Sequence, residues 1–308
     1  MKTIPHALLR DYTTFKLGGP CRVLIECQTP EELQKTVKSL LENKTPFILI
    51  GGGSNLVVSD QGIDIAVIRY VSSSPIIKRD GNDIIVSAST LLDDLALFCI
   101  NESLEGLNFT TGIPGTVGGA VVGNAGAWGS QVGDVLKSAV ILDKDGNIRN
   151  VEHSYFNYQY RHSQLKETNE IVLSVRFALK PSDSVNLAKE RLDILNKRIE
   201  KHPNLDTHPC AGSFFRNIEP TSKADRRQAA GWFLEESGGK NLNIGGAYIF
   251  EKHANIIVKG TNCTAQDVHD LHLKMIEIVK QKFDLQLNRE VRFVGPFRNT
   301  QAKNEGFW

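Results

Sequence analysis

Apolar positions recur along this chain with two periods, and the switches between them mark out strands and helices. Short apolar runs at Val23–Cys27, Phe47–Ile50, Ile63–Ile68, Ile76–Lys78 and Ile84–Ser87 predict strands. Between the first two, Pro30–Asn43 carries the helical period, with Thr29 placed as N-cap and Glu32 three residues on. Asp80-Gly81 marks a turn between the last two. A helix over about Leu91–Glu102 follows; then Ala139–Leu142 and Ile148–Val151 flank Lys144-Asp145-Gly146 as a hairpin, and Glu170–Leu179 is one more strand. The long amphipathic helix Ser184–Lys201 ends at His202-Pro203, and with Pro209 close behind it sets the expected domain boundary. What remains predicts a smaller α/β unit: strand Ser213–Arg216, a helix near Ser222–Ser237, strands Ala247–Ile249 and Asn255–Val258, helix Ala265–Phe283 and strand Arg289–Val294. The expected division is residues 1–203 in two parts, about 1–62 and 63–203, then 204–298, then a loosely held tail, 299–308.

Composition narrows the class. With 308 residues, 41% hydrophobic and 23% charged, the chain reads as soluble and globular, with two or three domains. A net charge of +1 argues against a nucleic-acid-coating surface, which needs a concentrated basic excess. The cysteines (Cys21, Cys27, Cys99, Cys210, Cys263) are odd in number, scattered and without a Cys-x-x-Cys pair, so neither a disulfide framework nor a zinc site is expected. That fits a reducing cytoplasm. Met1–Phe15 has no apolar signal-like core, and no run approaches the length a membrane span needs. His269 and His272 share a helix face at i, i+3, lack a third ligand, and are expected on the surface.

The glycines carry the chemistry. Gly112 to Gly129 packs seven glycines into eighteen residues, and Gly51-Gly52-Gly53-Ser54-Asn55 directly follows the strand Phe47–Ile50. Such clusters let a polyanion lie directly on the main chain, where successive N–H groups bind phosphate oxygens. Two of them suggest one large phosphate-bearing cofactor. Neither is a P-loop, since no Gly-Lys-Ser/Thr follows, and Gly51-x-Gly53-x-x-Leu56 lacks the third glycine of a dinucleotide fingerprint.

Eight stretches in register over nearly the whole chain carry a family resemblance. They are Thr13–Pro20, Leu49–Leu56, Gly112–Gly129, Tyr160-Arg161, Ala211–Asn217, Ala229–Leu234, His253-Ala254-Asn255 and Arg289-Glu290-Val291. The chain resembles the UDP-N-acetylenolpyruvoylglucosamine reductases, flavoenzymes of bacterial cell-wall precursor synthesis. The resemblance implies an α+β fold: a two-part FAD-binding domain of the vanillyl-alcohol-oxidase type, followed by a smaller α/β substrate-binding domain. It implies FAD held by Gly51, Gly52, Gly53, Ser54 and Asn55 and by Gly112, Pro114, Gly115, Gly118, Gly119, Ala120, Asn124 and Gly126. Some relatives attach flavin through a histidine or cysteine in these loops; neither residue occurs in Gly51–Asp60 or Gly112–Gly129, so the flavin is expected to be noncovalent.

The implied reaction is NADPH-dependent reduction of UDP-N-acetylglucosamine enolpyruvate through reduced FAD. By resemblance Arg161 and Glu290 are the enolate-stabilising pair, Ser213 the proton donor, and Tyr160, Arg216, Asn217 and His253 substrate-binding positions. Arg216 stands where lysine is common, Trp128 where tyrosine is usual, Glu251 where serine is common and Asn241 where glycine is usual. Only about fifty residues separate Arg161 from Ser213, leaving no room for the tyrosine-bearing insertion of the family's longer form. By composition alone Arg161 is a solvated loop arginine and Glu290 a surface carboxylate. Another flavin oxidase or dehydrogenase of the same fold, and a non-catalytic nucleotide-binding module, are the alternative functions. Small-molecule ligands are expected; no protein partner is implied.

Overall fold

The computed structural model describes residues 1–220 and 226–298. In the first lobe the sheet order is Lys2–Pro5, Cys21–Cys27, Ile63–Tyr70, Phe47–Ile50. Ile63–Tyr70 runs parallel to both its neighbours, Cys21–Cys27 and Phe47–Ile50, and helix α1 (Pro30–Glu42) carries the chain between those two so that they point the same way. The cap is as the sequence predicts: Thr29 Oγ1 accepts from Glu32 N at 3.2 Å, and Leu33 and Val37 are buried. One expectation is corrected here. Ile63–Tyr70 does not open a second part at residue 63 but lies inside the first sheet, with Ala66, Val67 and Ile68 fully buried, as a strand covered on both faces must be.

The second lobe is a five-stranded antiparallel sheet in the order Ile148–Glu152, Leu136–Leu142, Ile171–Ala178, Asp83–Ser87, Ile77–Asp80. Around it stand α2 (Leu92–Asn101), α3 (Val117–Gly123), the single turn α4 (Leu165–Thr168) and α5 (Ser184–Lys201). The two lobes share one core, in which Leu33, Val37, Ile68 and Tyr70 of the first pack with Ile84, Val86, Val175 and Phe177 of the second. Between Arg161 and Ser213 the chain holds α4, the strand Ile171–Ala178, the short strand Lys180–Pro181 and α5.

The C-terminal part contains α6 (Ala230–Glu236), a sheet of Asn243–Ile244, Ala247–Ile249 and Ile257–Lys259, and α7 (Ala265–Phe283). The helix expected near Ser222–Ser237 is shorter. Gln228 is bridged to Ile218 as extended chain, and residues 221–225 lie outside the described ones. Among the described residues, Ser213–Arg216 joins no sheet and pairs through a single bridge, Phe215 with Arg289. The last strand is Arg292–Val294, and it runs parallel to Leu56–Val58 of the first lobe. Phe15, Leu17 and Val57 accordingly sit in the same apolar core as Phe214, Phe215, Ile257 and Val291.

His269 and His272 are also corrected: they are 1% and 4% exposed. The stripe they share is the inner face of α7, with Val268, Leu271 and Met275, and their rings pack on Phe293. Burial pushes His272 down to about 3 and His202 to about 4. Both are therefore neutral when folded at a pH where an unfolded histidine, near 6.5, takes a proton. Below that point the unfolded chain binds more protons, so stability falls as the pH drops from about 6.5 toward 4, by up to roughly tenfold in the folding equilibrium per pH unit per histidine. Urea midpoints at neutral and mildly acidic pH check this. His272→Phe should flatten part of the slope, and a midpoint unmoved by pH would contradict it.

Candidate active site

The two glycine loops meet at the boundary of the lobes. A Cβ on Gly51 would lie 2.3 Å from Thr116 Oγ1, and one on Gly52 would lie 3.0 Å from Gly115 Cα, so side chains are excluded where the loops touch. Thr116 starts α3, its Oγ1 accepting from Gly119 N at 3.4 Å. Among the described residues, the amides of Gly52, Gly53, Ser54 and Gly115 find no acceptor. Buried or half-buried backbone donors of this kind ask for a partner, and converging N–H groups are an anion site. Beside them a cleft of about 360 Å³ runs past Ser54, Gly112, Pro114, Arg198, His202 and Gly212. A diphosphate on those amides with its flat ring system in the cleft fits this geometry, so the residues present suit FAD.

Three of the expected cofactor positions also have packing roles of their own. Asn124 is wholly buried, and its side chain is spent: Nδ2 donates to Gln131 Oε1 and Gln159 O, both at 2.9 Å, and Oδ1 accepts from Gly133 N at 3.0 Å. A Cβ on Gly126 would strike the Ser130 carbonyl oxygen at 2.5 Å, in a tight hairpin with Gln131. Ala120 packs in the shared core.

The bond from Asn124 to Gln159 supports a turn. Gln159 and His162 exchange backbone hydrogen bonds of 3.1 Å, closing a two-residue loop around Tyr160-Arg161. Ser163 Oγ donates to Val122 O at 2.7 Å, and Lys166 Nζ donates to Arg161 O at 2.7 Å. Arg161 has φ +56°, a left-handed conformation uncommon for a residue with a side chain and held only when its surroundings enforce it. Its Nε lies 2.9 Å from Glu290 Oε1. The approach is off the N–H axis, which leaves that nitrogen without a directed hydrogen bond and makes the contact an ion pair. Each side chain is 23% exposed, so neither is the solvated residue its type suggests.

Glu290 and Ser213 are brought together from the C-terminal side. Glu290 N donates to Phe214 O at 2.9 Å and Arg216 N to Asn288 O at 2.8 Å, laying Ser213–Asn217 antiparallel to Asn288–Val291. Asn255 locks this segment: Phe214 N donates to its carbonyl at 2.8 Å, Phe215 N to its Oδ1 at 2.9 Å, and its Nδ2 to Phe215 O at 2.8 Å. The sequence contained no sign that Asn255, rather than its neighbour His253, holds this place. His253 Nδ1 accepts from Asn255 N at 3.2 Å, and its ring lies 5.6 Å from that of His202. None of its described contacts is with Arg161, Ser213 or Glu290. Asn55 also makes a long-range link: its Nδ2 donates to Glu290 O at 3.1 Å and its carbonyl accepts from Arg292 N at 3.0 Å. It ties the glycine turn to the Glu290 backbone. Ser213 is half-buried next to cleft-lining Gly212, and no partner among the described residues engages its hydroxyl.

Around this centre positive charge dominates. Tyr160 carries Arg227 over its ring at 4.1 Å and Arg161 at 5.5 Å, and its Oη accepts from Asn217 N at 3.3 Å. Asn217 Oδ1 in turn accepts from Ala230 N at 3.3 Å, at the start of α6. Arg216 Nε is buried without a partner among the described residues. Burial, reinforced by Arg216 and opposed by Glu290, pushes the Lys166 ammonium down to about 8. Such a pocket draws in anionic ligands.

Residues 21–152 match the family model described as an FAD binding domain. With the two lobes closed on one core and an unsatisfied glycine cradle between them, the chain is an FAD-dependent oxidoreductase. Residues 202–294 match the model described as UDP-N-acetylenolpyruvoylglucosamine reductase, C-terminal domain. A UDP-N-acetylenolpyruvoylglucosamine reductase of Alkaliphilus oremlandii (strain OhILAs) is 35% identical over 301 residues, covering 96% of each chain. One of Alkaliphilus metalliredigens (strain QYMF) is 36% identical over 288 residues, 93% of this chain and 91% of that one. The crystal structure of UDP-N-acetylenolpyruvylglucosamine reductase (MurB) from Thermus caldophilus superposes with a TM-score of 0.78 at 30% identity, covering 96% of this chain and 98% of the other. The chain belongs to the UDP-N-acetylenolpyruvoylglucosamine reductase family. The α+β fold, with its FAD-binding and reductase-type C-terminal parts, is the one the sequence resemblance implies.

Proposed function

We propose that this chain reduces UDP-N-acetylglucosamine enolpyruvate to UDP-N-acetylmuramate in peptidoglycan precursor synthesis, with NADPH as reductant, FAD held noncovalently, and the cytoplasm as its location. The observation that supports the reading best is the Arg161–Glu290 pair, 2.9 Å apart, with Glu290 on the segment paired to that of Ser213 and tied by Asn55 to the glycine turn. Among the described residues no helix is long and apolar enough to cross a membrane, and no group of three or more metal-binding side chains occurs.

FAD on the amides of Gly52, Gly53, Ser54 and Gly115 would supply hydride to the substrate's methylene carbon. Negative charge then moves into the enolpyruvyl carboxylate, and Arg161 is the fixed cation that meets it. The turn around Tyr160-Arg161 sets the guanidinium before substrate arrives, so little reorganisation is left for the reaction. Glu290 orients that guanidinium through the ion pair at its Nε, with its own backbone fixed by Phe214 and Asn55. The unengaged hydroxyl of Ser213 delivers the proton to the neighbouring carbon. Arg216, with Tyr160 and Asn217 beside it, supplies charge and donors for the diphosphate.

Purified protein should be yellow, release FAD on denaturation and sustain NADPH oxidation beyond one equivalent per flavin only when the enolpyruvyl substrate is present. Because the described residues form one such cradle and the sequence carries no separate dinucleotide fingerprint, NADPH and substrate should use the same face in turn and give parallel initial-rate lines. NADPH oxidation unmoved by the enolpyruvyl compound would overturn the assignment. Intersecting lines would overturn the shared face.

A further inference from the structure

We infer that Lys166 is a positioning residue for Arg161, its ammonium holding the Tyr160-Arg161 turn so that the guanidinium faces Glu290 and the enolpyruvyl carboxylate. The inference rests on the reductase reading above. Lys166 sits on α4, five residues past Arg161, and its Nζ reaches back 2.7 Å to the Arg161 carbonyl oxygen. That carbonyl belongs to the one residue of the turn with φ +56°, where the peptide that follows decides whether the side chain points to Glu290. The other two anchors, Asn124 to Gln159 O and Ser163 to Val122 O, grip the turn on either side but do not touch Arg161 itself.

A lysine here is not placed for solubility. It is half-buried, and the charged groups facing it are Arg161 on its own segment, Arg216 on the Ser213 segment, and Glu290 and Arg292 on the last stretch of chain. Charge-assisted donation to a carbonyl is among the stronger hydrogen bonds, and removing the donor leaves the left-handed residue free to relax. The ammonium is lowered toward about 8 by burial, so the hold weakens as pH rises through that value.

The test compares wild type, Lys166→Met and Lys166→Arg, each loaded with FAD. Lys166→Met should lower kcat/KM for the enolpyruvyl substrate by about ten- to a hundredfold, while flavin reduction by NADPH stays within about twofold. In wild type, kcat/KM for the substrate, which reports the free enzyme, should fall as pH rises through about 8. Lys166→Arg keeps a permanent cation and should restore most of the neutral-pH rate with that alkaline limb shifted upward. A wild-type limb retained unchanged in Lys166→Arg, or Lys166→Met within about threefold of wild type, would overturn the inference. If Lys166→Met does not fold, the arginine variant alone decides it. Failure of the underlying reading looks different, since wild type would then show no substrate-dependent NADPH oxidation at all.

Discussion

Ser213→Ala is expected to stop substrate reduction while leaving the first half-reaction intact. NADPH reduces the flavin without a proton from Ser213, so bleaching in a stopped-flow experiment should proceed at nearly the wild-type rate, and reoxidation by the enolpyruvyl substrate should fail. Loss of a general acid costs on the order of a hundred- to ten-thousandfold. The fold gives the variant a clean background. The hydroxyl engages no described partner, Gly212 before it has open space, and the segment is held by Asn255 and by Phe214 and Phe215 in the core. Ser213→Cys keeps a protonated donor of similar size and should recover part of the rate. Turnover by the alanine variant within about threefold of wild type would make the serine structural and assign the proton to another group.

What could be read from the sequence is what leaves a local mark. α1, α5 and α7 lie at the ranges their apolar periods predict, because each buries one stripe and carries its own cap: Thr29, Asp183 and Thr264 all accept from the first turn. The glycine clusters were legible for the same reason, since close backbone approach has no other residue to use. Their division of labour was not. Gly52 at the cradle and Gly126 in its hairpin look alike in sequence, and only the Cβ contacts separate them. Long-range links left no trace either. Arg292–Val294 pairs with Leu56–Val58 across more than two hundred residues, and a parallel pair of three-residue strands has no sequence pattern beyond a short apolar run. Asn255 and Asn55 act through side-chain bonds to distant backbone, and Lys166 through one to the backbone five residues before it, which residue type alone does not announce. Residue type misled outright at His269 and His272, where helical spacing pointed inward and polarity pointed out, and the spacing won.

Arg161→Ala and Glu290→Gln should each slow substrate reduction by roughly thirty- to a thousandfold, corresponding to about 2–4 kcal/mol of transition-state stabilisation, with FAD still bound. Flavin should be retained because neither side chain contributes to the amides of the cradle; Asn55 grips the Glu290 backbone, which both substitutions leave in place. The two effects should not add. In the proposed mechanism Arg161 meets the developing carboxylate charge and Glu290, paired with it, aims the guanidinium, so the double variant should be little slower than Arg161→Ala alone. Glu290→Gln keeps the shape and one acceptor oxygen and removes the charge, so its loss measures the ion pair rather than a cavity. Single-turnover reoxidation of the reduced flavin by the enolpyruvyl substrate reads all three variants without interference from the NADPH step. Fully additive losses would mean that Glu290 meets the substrate by itself, and loss of flavin from either single variant would return the pair to a structural role between the glycine turn and the C-terminal core.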